Sequence, residues 1–201
     1  MLNDLLKPYD LVLASGSPRR KQLLEEMGIS FRIETKPVNE IIPKDKTPEE
    51  IAVYLSRLKA AAFEKSYFTS NRIIITADTI VALDKQILGK PSGHKEAIKM
   101  LQQLSGKSHE VITGVTIQSS SKETSFFVST RVYFKSLSPD EIEFYIDEFK
   151  PFDKAGAYGI QEWIGHAAIE KIEGSYFNVV GLPTHRLYEE LVLFITPNIP
   201  S

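Results

Sequence analysis

The sequence predicts an α/β fold in which a mixed, twisted β-sheet is flanked by helices, and three observations carry that reading. Short apolar runs of strand length alternate with amphipathic runs of helix length along the chain. Three helix starts are marked by cap residues: Ser17-Pro18, Thr47-Pro48-Glu49-Glu50 and Ser138-Pro139-Asp140-Glu141. Two long strand runs, 109–118 and 124–135, are joined by a serine-rich turn and imply an antiparallel pair beside shorter, buried strands.

In chain order, Leu11, Val12, Leu13 and Ala14 read as a buried strand. Ser17 stands at an N-cap and Pro18 at the first helical position, where its missing N–H costs nothing; residues 21–28 read as a short helix closed by Gly28. Residues 31–35 read as a second strand, followed by a polar loop through Asn39 and Glu40. The helix after Thr47 carries Ile51, Leu55, Leu58 and Ala62 on one face. Residues 73–77 form a buried strand ending at Asp78, and 80–83 continue it into a hairpin with Ile87 and Leu88. A helix from about His94 to Leu104 buries Ala97, Ile98, Leu101 and Leu104 and stops at Gly106. The helix after Ser138 turns Ile142, Tyr145, Ile146 and Phe149 inward. Residues 153–161 are glycine-rich and irregular, strands are expected at 167–172 and 177–180, and Pro183 starts the last helix. No composition shift marks a cut point, so residues 1–201 read as one domain, in which the long antiparallel strands can form a second lobe.

Composition narrows the function. At 201 residues, with 42% hydrophobic and 25% charged residues, the chain can bury a sizeable core and is not of disordered composition. A net charge of -2 argues against stable nucleic-acid binding, which needs an electropositive face. With no cysteine and four histidines in no metal-ligand spacing, thiol catalysis, disulfides and a thiolate or histidine-rich zinc site are not expected. No signal peptide and no membrane span is read, which makes the cytoplasm the expected location.

The chemistry-bearing residues sit at the ends of apolar elements. Arg19 and Arg20 fall in a helix's first turn, where cations oppose the dipole by roughly 0.3–1 kcal/mol each. A bound anion reverses that sign, because free N–H groups and guanidinium forks converge on it; with Ser15 in the loop, this describes a phosphate cradle. Asp78-Thr79 interrupts an apolar region; a carboxylate there is either a solvent-side strand end or a site residue, and the apolar flanks favour the second, since a buried charge is costly unless paired or metal-bound. Lys90 is held between Gly89 and Pro91, and Lys59 lies beside three alanines. Small residues around Tyr158 suit either close approach to a flat ligand or a tight structural turn. Four cations (Arg19, Arg20, Lys59, Lys90) and two carboxylates (Glu40, Asp78) fit a polyphosphate substrate with a hard divalent metal.

The ordered blocks A-S-G-S-P-R-R, S-R-L-K-A, A-D-T-I-V, L-G-K-P, L-S-G-K-S-H-E-V-I-T-G-V, D-K-A-G-A-Y-G-I-Q and G-S-Y-F-N-V-V-G-L-P run from Ala14 to Pro183 and closely resemble the Maf family of nucleoside triphosphate pyrophosphatases. The resemblance implies hydrolysis of a nucleoside triphosphate to the monophosphate and pyrophosphate with Mg²⁺ or Mn²⁺, as a housecleaning activity on the nucleotide pool. It also implies an elongated fold of two lobes around a central cleft, like the inosine triphosphate pyrophosphatases, in a cytoplasmic homodimer. Carried over by position, Asp78 is the catalytic carboxylate and Glu40 its metal-side partner, both placed to hold the ion. Ser15, Arg19, Arg20, Lys59 and Lys90 are implied phosphate contacts.

Within the family, Arg19, Thr79 and Gln161 match the subgroup that acts on dTTP and UTP; the sister group acting on 7-methyl-GTP has tryptophan at the first place and an acid at the last. An amide matches the carbonyl–NH–carbonyl edge of uracil or thymine. Asn39 stands where many relatives carry a second acid, which leaves the number of metals open. Two other readings stay open at this stage: a regulatory nucleotide-binding module linked to septum formation, and a pyrophosphatase for another, modified nucleotide.

Overall fold

The computed structural model describes residues 2–43, 45–84 and 86–196. The first apolar run becomes β1 (Asp10–Leu13), which pairs in parallel with β2 (Arg32–Ile33) and with β3 (Arg72–Leu83). Leu13 stands opposite both Ile33 and Ile75. Beyond Asp78 the backbone of β3 continues without a break to Leu83 and turns back, through Asp84 at positive φ, into the antiparallel strand β4 (Gln86–Leu88). With β5 (Ser108–Gln118), β6 (Glu123–Phe134) and β7 (Ile169–Glu173), the sheet order is β2-β1-β3-β5-β6-β7, with β4 on β3. The sheet is mixed: β6 and β7 run antiparallel.

The helices are α1 (Leu2–Leu6), α2 (Pro18–Glu26), α3 (Pro48–Ala61), α4 (His94–Leu104), α5 (Pro139–Phe149), α6 (Trp163–Ala167), α7 (Tyr176–Val180) and α8 (Thr184–Ile195). Both capping boxes form: Thr47 with Glu50 and Ser138 with Glu141 each exchange the two expected hydrogen bonds. Gly28 and Gly106 take the left-handed conformation that ends α2 and follows α4. Two short elements, α1 and α6, carry too little periodicity to be read from sequence.

One expected element is corrected. Residues 177–180 were expected as a strand, because Phe177, Val179 and Val180 favour one; they form helix α7 instead. The cause is Asn178, fully buried, whose Nδ2 donates to the Val111 carbonyl and to Thr130 Oγ1. Ser175 Oγ accepts from the Asn178 N–H and Thr130 Oγ1 accepts from the Ser175 N–H. These bonds wind the segment into a turn and override its β propensity.

The chain divides into two compact units, one of Met1–Asp78, Thr113–Val128 and Gly181–Ser201, the other of Thr79–Ile112 and Ser129–Val180. In the first, Val12, Ala14, Ala60, Phe63 and Ile74 form a buried cluster between β1, α3 and β3. Helix α3 lies directly on β5, because a Cβ at Gly114 would stand 2.2 Å from the Ala52 carbonyl carbon. In the second unit, α4 and α5 pack together over a core that includes Val81, Leu101, Leu104, Val132, Tyr145 and Ile146. Among the described residues, no helix is long and apolar enough to cross a membrane.

His109 lies inside the second unit, edge-on to Phe134 and Tyr158, with Nε2 2.6 Å from the Tyr158 hydroxyl and Nδ1 without a hydrogen-bond partner among the described residues. Burial pushes this imidazole down from 6.5 to about 4. The unfolded chain therefore binds the proton more readily than the folded one. Its contribution to stability is complete above pH 6.5 and is lost as pH falls from 6.5 towards 4, by about 3 kcal/mol in all. Urea titrations between pH 7 and pH 4 should show this loss in the parent and not in His109→Gln; equal pH slopes would contradict it.

Candidate active site

The parallel register of β1 and β3 brings the loop after β1 beside the middle of β3. The Ala14 N–H donates to the Ile75 carbonyl, so Ser15 comes level with Ala77. Arg20 occupies this junction. It is buried, its Nη1 donates to Ser15 Oγ (3.1 Å) and to the Ala77 carbonyl (2.8 Å), and its Nε donates to the Gly181 carbonyl (2.8 Å). Burial lowers its pKa, while Asp78 and Glu40 support its charge and Arg19 opposes it. Sequence reasoning treated Arg19 and Arg20 as a pair; the structure separates them. Arg20 ties three chain segments together, whereas Arg19 is half-buried in the first turn of α2. Ser17 sits at the N-cap with no side-chain cap bond, so its hydroxyl does not occupy the N–H groups of that turn.

The second half of this site is a charge cluster. Lys59 Nζ lies 3.1 Å from Glu40 Oε1 and makes a short hydrogen bond to Asp78 Oδ1. The side chains of Lys59 and Asp78 are 19% and 13% exposed, so this pair is shielded from water, while that of Glu40, at 46%, faces solvent. Lys59 is aimed by Ser56, one turn earlier on α3. Thr76 Oγ1 donates to the Ser56 carbonyl (2.7 Å), and Ser56 Oγ shares a hydrogen bond with Thr116 Oγ1 (2.8 Å), all three residues being fully buried. Helix α3 is thereby fixed to β3 two residues before Asp78, and to β5. Sequence reasoning missed Ser56; its signal was a hydroxyl on the buried face of a helix, three residues before a lysine.

The donor set fits a hard divalent cation. One oxygen each of Glu40 and Asp78 already reaches a single cationic atom, Lys59 Nζ, and carboxylate oxygens are what Mg²⁺ and Mn²⁺ take. Asn39, beside Glu40, is exposed and adds no charge.

Ser15, Arg19, Arg20, Glu40, Lys59 and Asp78 all belong to the first unit, and Thr79, Lys90 and Gln161 to the second. Thr79 is half-buried, next to Asp78 on β3. Lys90 is exposed, and its loop is tied to the glycine-rich segment by the Gly156 N–H, which donates to the Gly89 carbonyl (3.0 Å). Gly156, at φ +68, packs on Val81, with its added Cβ 3.1 Å from both methyls, so that glycine serves a close structural approach. Tyr158 is buried in the core against His109, which decides for the turn over the flat-ligand reading at that residue. Gln161 is exposed.

A family model described as Maf-like protein matches residues 10–194. The chain belongs to the Maf-like family. It is 51% identical over 191 residues to a protein of Christiangramia forsetii named dTTP/UTP pyrophosphatase, covering 95% of this chain and 97% of that one. Proteins of the same name from Cytophaga hutchinsonii (52% identical, 94% and 86% covered) and Bacteroides thetaiotaomicron (47%, 95% and 98%) are similarly close. A fainter likeness, with a TM-score of 0.44 at 11% identity over 95% of this chain and 98% of the other, is to a nucleoside-triphosphatase / dITP/XTP pyrophosphatase structure from Mycobacterium abscessus.

The split between the two arginines is testable by stability. Arg20→Ala leaves the Ala77 and Gly181 carbonyls each one bond short and should cost about 2–4 kcal/mol in urea unfolding. Arg19→Ala should cost clearly less than Arg20→Ala. Equal losses in the two variants would contradict the assignment of Arg20 as the tie.

Proposed function

We propose that this chain hydrolyses dTTP and UTP to the monophosphate and pyrophosphate, by attack of water on the α-phosphorus. The observation that carries the reading is the cluster in which Glu40 and Asp78 share the Lys59 ammonium beside the start of α2, in a chain about half identical to relatives named dTTP/UTP pyrophosphatase.

Each residue has a role its chemistry supports. Arg19 offers a guanidinium fork at a helix N-terminus, the arrangement that grips a phosphate in two places. Ser15, Lys59 and Lys90 supply further donors to phosphate oxygens, and Lys59 offsets charge that grows on the leaving pyrophosphate. Asp78, shielded and held in place by Lys59, accepts the proton from the attacking water. Glu40 and Asp78 would hold a Mg²⁺ or Mn²⁺ ion, whose chemistry there would be charge neutralisation and Lewis acidity. Arg20 serves the same reaction by holding Ser15 to the Ala77 carbonyl of β3, next to Asp78. Gln161 is assigned to the base, with one donor and one acceptor for the imide edge, and Thr79 to pyrimidine preference beside Asp78. The setting we propose is the cytoplasmic nucleotide pool, with the protein acting as a homodimer.

Asp78→Asn keeps the side chain's size and removes its charge. UTP turnover, followed by pyrophosphate release, should fall by about a hundredfold or more while the urea midpoint stays close to the parent's. Chelating divalent ions should abolish turnover in the parent. A variant within about tenfold of the parent, equivalent to roughly 1.4 kcal/mol of barrier, would remove Asp78 from the chemistry, and a parent that binds UTP without releasing pyrophosphate would be a binding module.

A further inference from the structure

The residue that presents Gln161 is not Gln161 itself. Its turn, from Gly159 to Glu162, is closed by the Glu162 N–H donating to the Gly159 carbonyl (3.0 Å). Both ends are gripped by one hydroxyl: Tyr145 Oη accepts from the Gly159 N–H (3.0 Å) and donates, in a short hydrogen bond, to Glu162 Oε2. The other Glu162 oxygen lies 3.0 Å from Lys154 Nζ, which also reaches Asp153 at 2.8 Å. The ring of Tyr145 is fully buried and Lys154 is 9% exposed, so this is an interior network and not a surface ion pair. Packing is tight throughout. A Cβ on Gly159 would stand 3.1 Å from both Glu162 Cδ and Lys154 Cε, and one on Gly165 would overlap the Ile160 carbonyl oxygen at 1.7 Å. Between buried Ile160 and half-buried Glu162, Gln161 is the exposed member of the turn.

A core that only needed filling would be served as well by apolar residues, since a buried ion pair is seldom a net source of stability. What a fully satisfied polar network adds is a single geometry. A side chain that reads a base by hydrogen bonds needs its backbone held to within a fraction of an ångström. We propose that Tyr145, Glu162 and Lys154 form a clamp that positions Gln161 for base recognition. All three are positioning residues, and the inference rests on the assignment of Gln161 to the base.

The test is the ratio of kcat/KM for UTP to that for CTP, which does not depend on the fraction of enzyme folded. Tyr145→Phe and, as a second variant that keeps shape and hydrogen-bonding capacity, Glu162→Gln should each lower the ratio by about tenfold, through a raised KM for UTP with kcat within about threefold. Combined with Gln161→Ala, Tyr145→Phe should lower the ratio no further than Gln161→Ala alone, because the clamp acts through that side chain. If Gln161→Ala lowers the ratio and neither clamp variant does, the clamp is structural and the proposal is overturned, while Gln161 keeps its role. If Gln161→Ala leaves the ratio unchanged, the assignment of Gln161 to the base fails and the proposal falls with it. A double variant whose losses multiply would also overturn it, by placing Tyr145 on a separate path.

Discussion

The candidate site is built around one ammonium group shared by two carboxylates. Lys59, Asp78 and Glu40 come from a helix, a strand and a loop, and only the first two are shielded from water. Desolvating a charge costs several kcal/mol, and pairing seldom recovers more than that cost. A cluster of this kind is a poor way to stabilise a fold. It is a good way to hold a carboxylate fixed until a highly charged substrate arrives.

The rest of the first unit serves that placement. Gly114 lets α3 settle onto β5 without a side chain between them, and the buried hydroxyls of Ser56, Thr76 and Thr116 set the helix's register along the sheet. Arg20 does the same for the loop after β1 by binding Ser15, Ala77 and Gly181 at once. Three segments far apart in sequence thus meet through a single guanidinium, whose planar fork of donors a lysine could not reproduce. In the second unit a carboxylate, an ammonium and a phenol do comparable work around the Gly159–Glu162 turn.

Much of this was legible in the sequence, and the reasons are local. Helices α2, α3 and α5 announce themselves because cap residues, proline at the first position and apolar spacing all act within a few residues of one another. The strand β3 and its return through β4 are legible from apolar runs broken by a turn. Asp78 stood out because a carboxylate amid Ile75, Ala77, Ile80 and Val81 conflicts with its surroundings unless it has a task. What stayed hidden depends on partners distant in sequence. Helix α7 looked like a strand because its conformation is set by Asn178 reaching Val111 and Thr130. Arg20 looked like Arg19's twin because only the fold brings Gly181 to it. Tyr145 read as a core residue, which it is; its hydroxyl's second task, holding Gly159 and Glu162, has no signature in spacing.

The central claim is that the Lys59–Asp78–Glu40 cluster serves attack of water at the α-phosphorus. Hydrolysis of UTP in water enriched in ¹⁸O, with both products analysed by mass spectrometry, tests it most directly. The account predicts one heavy oxygen in the monophosphate and none in the pyrophosphate. Label in the pyrophosphate, or release of orthophosphate as the first product, would contradict it.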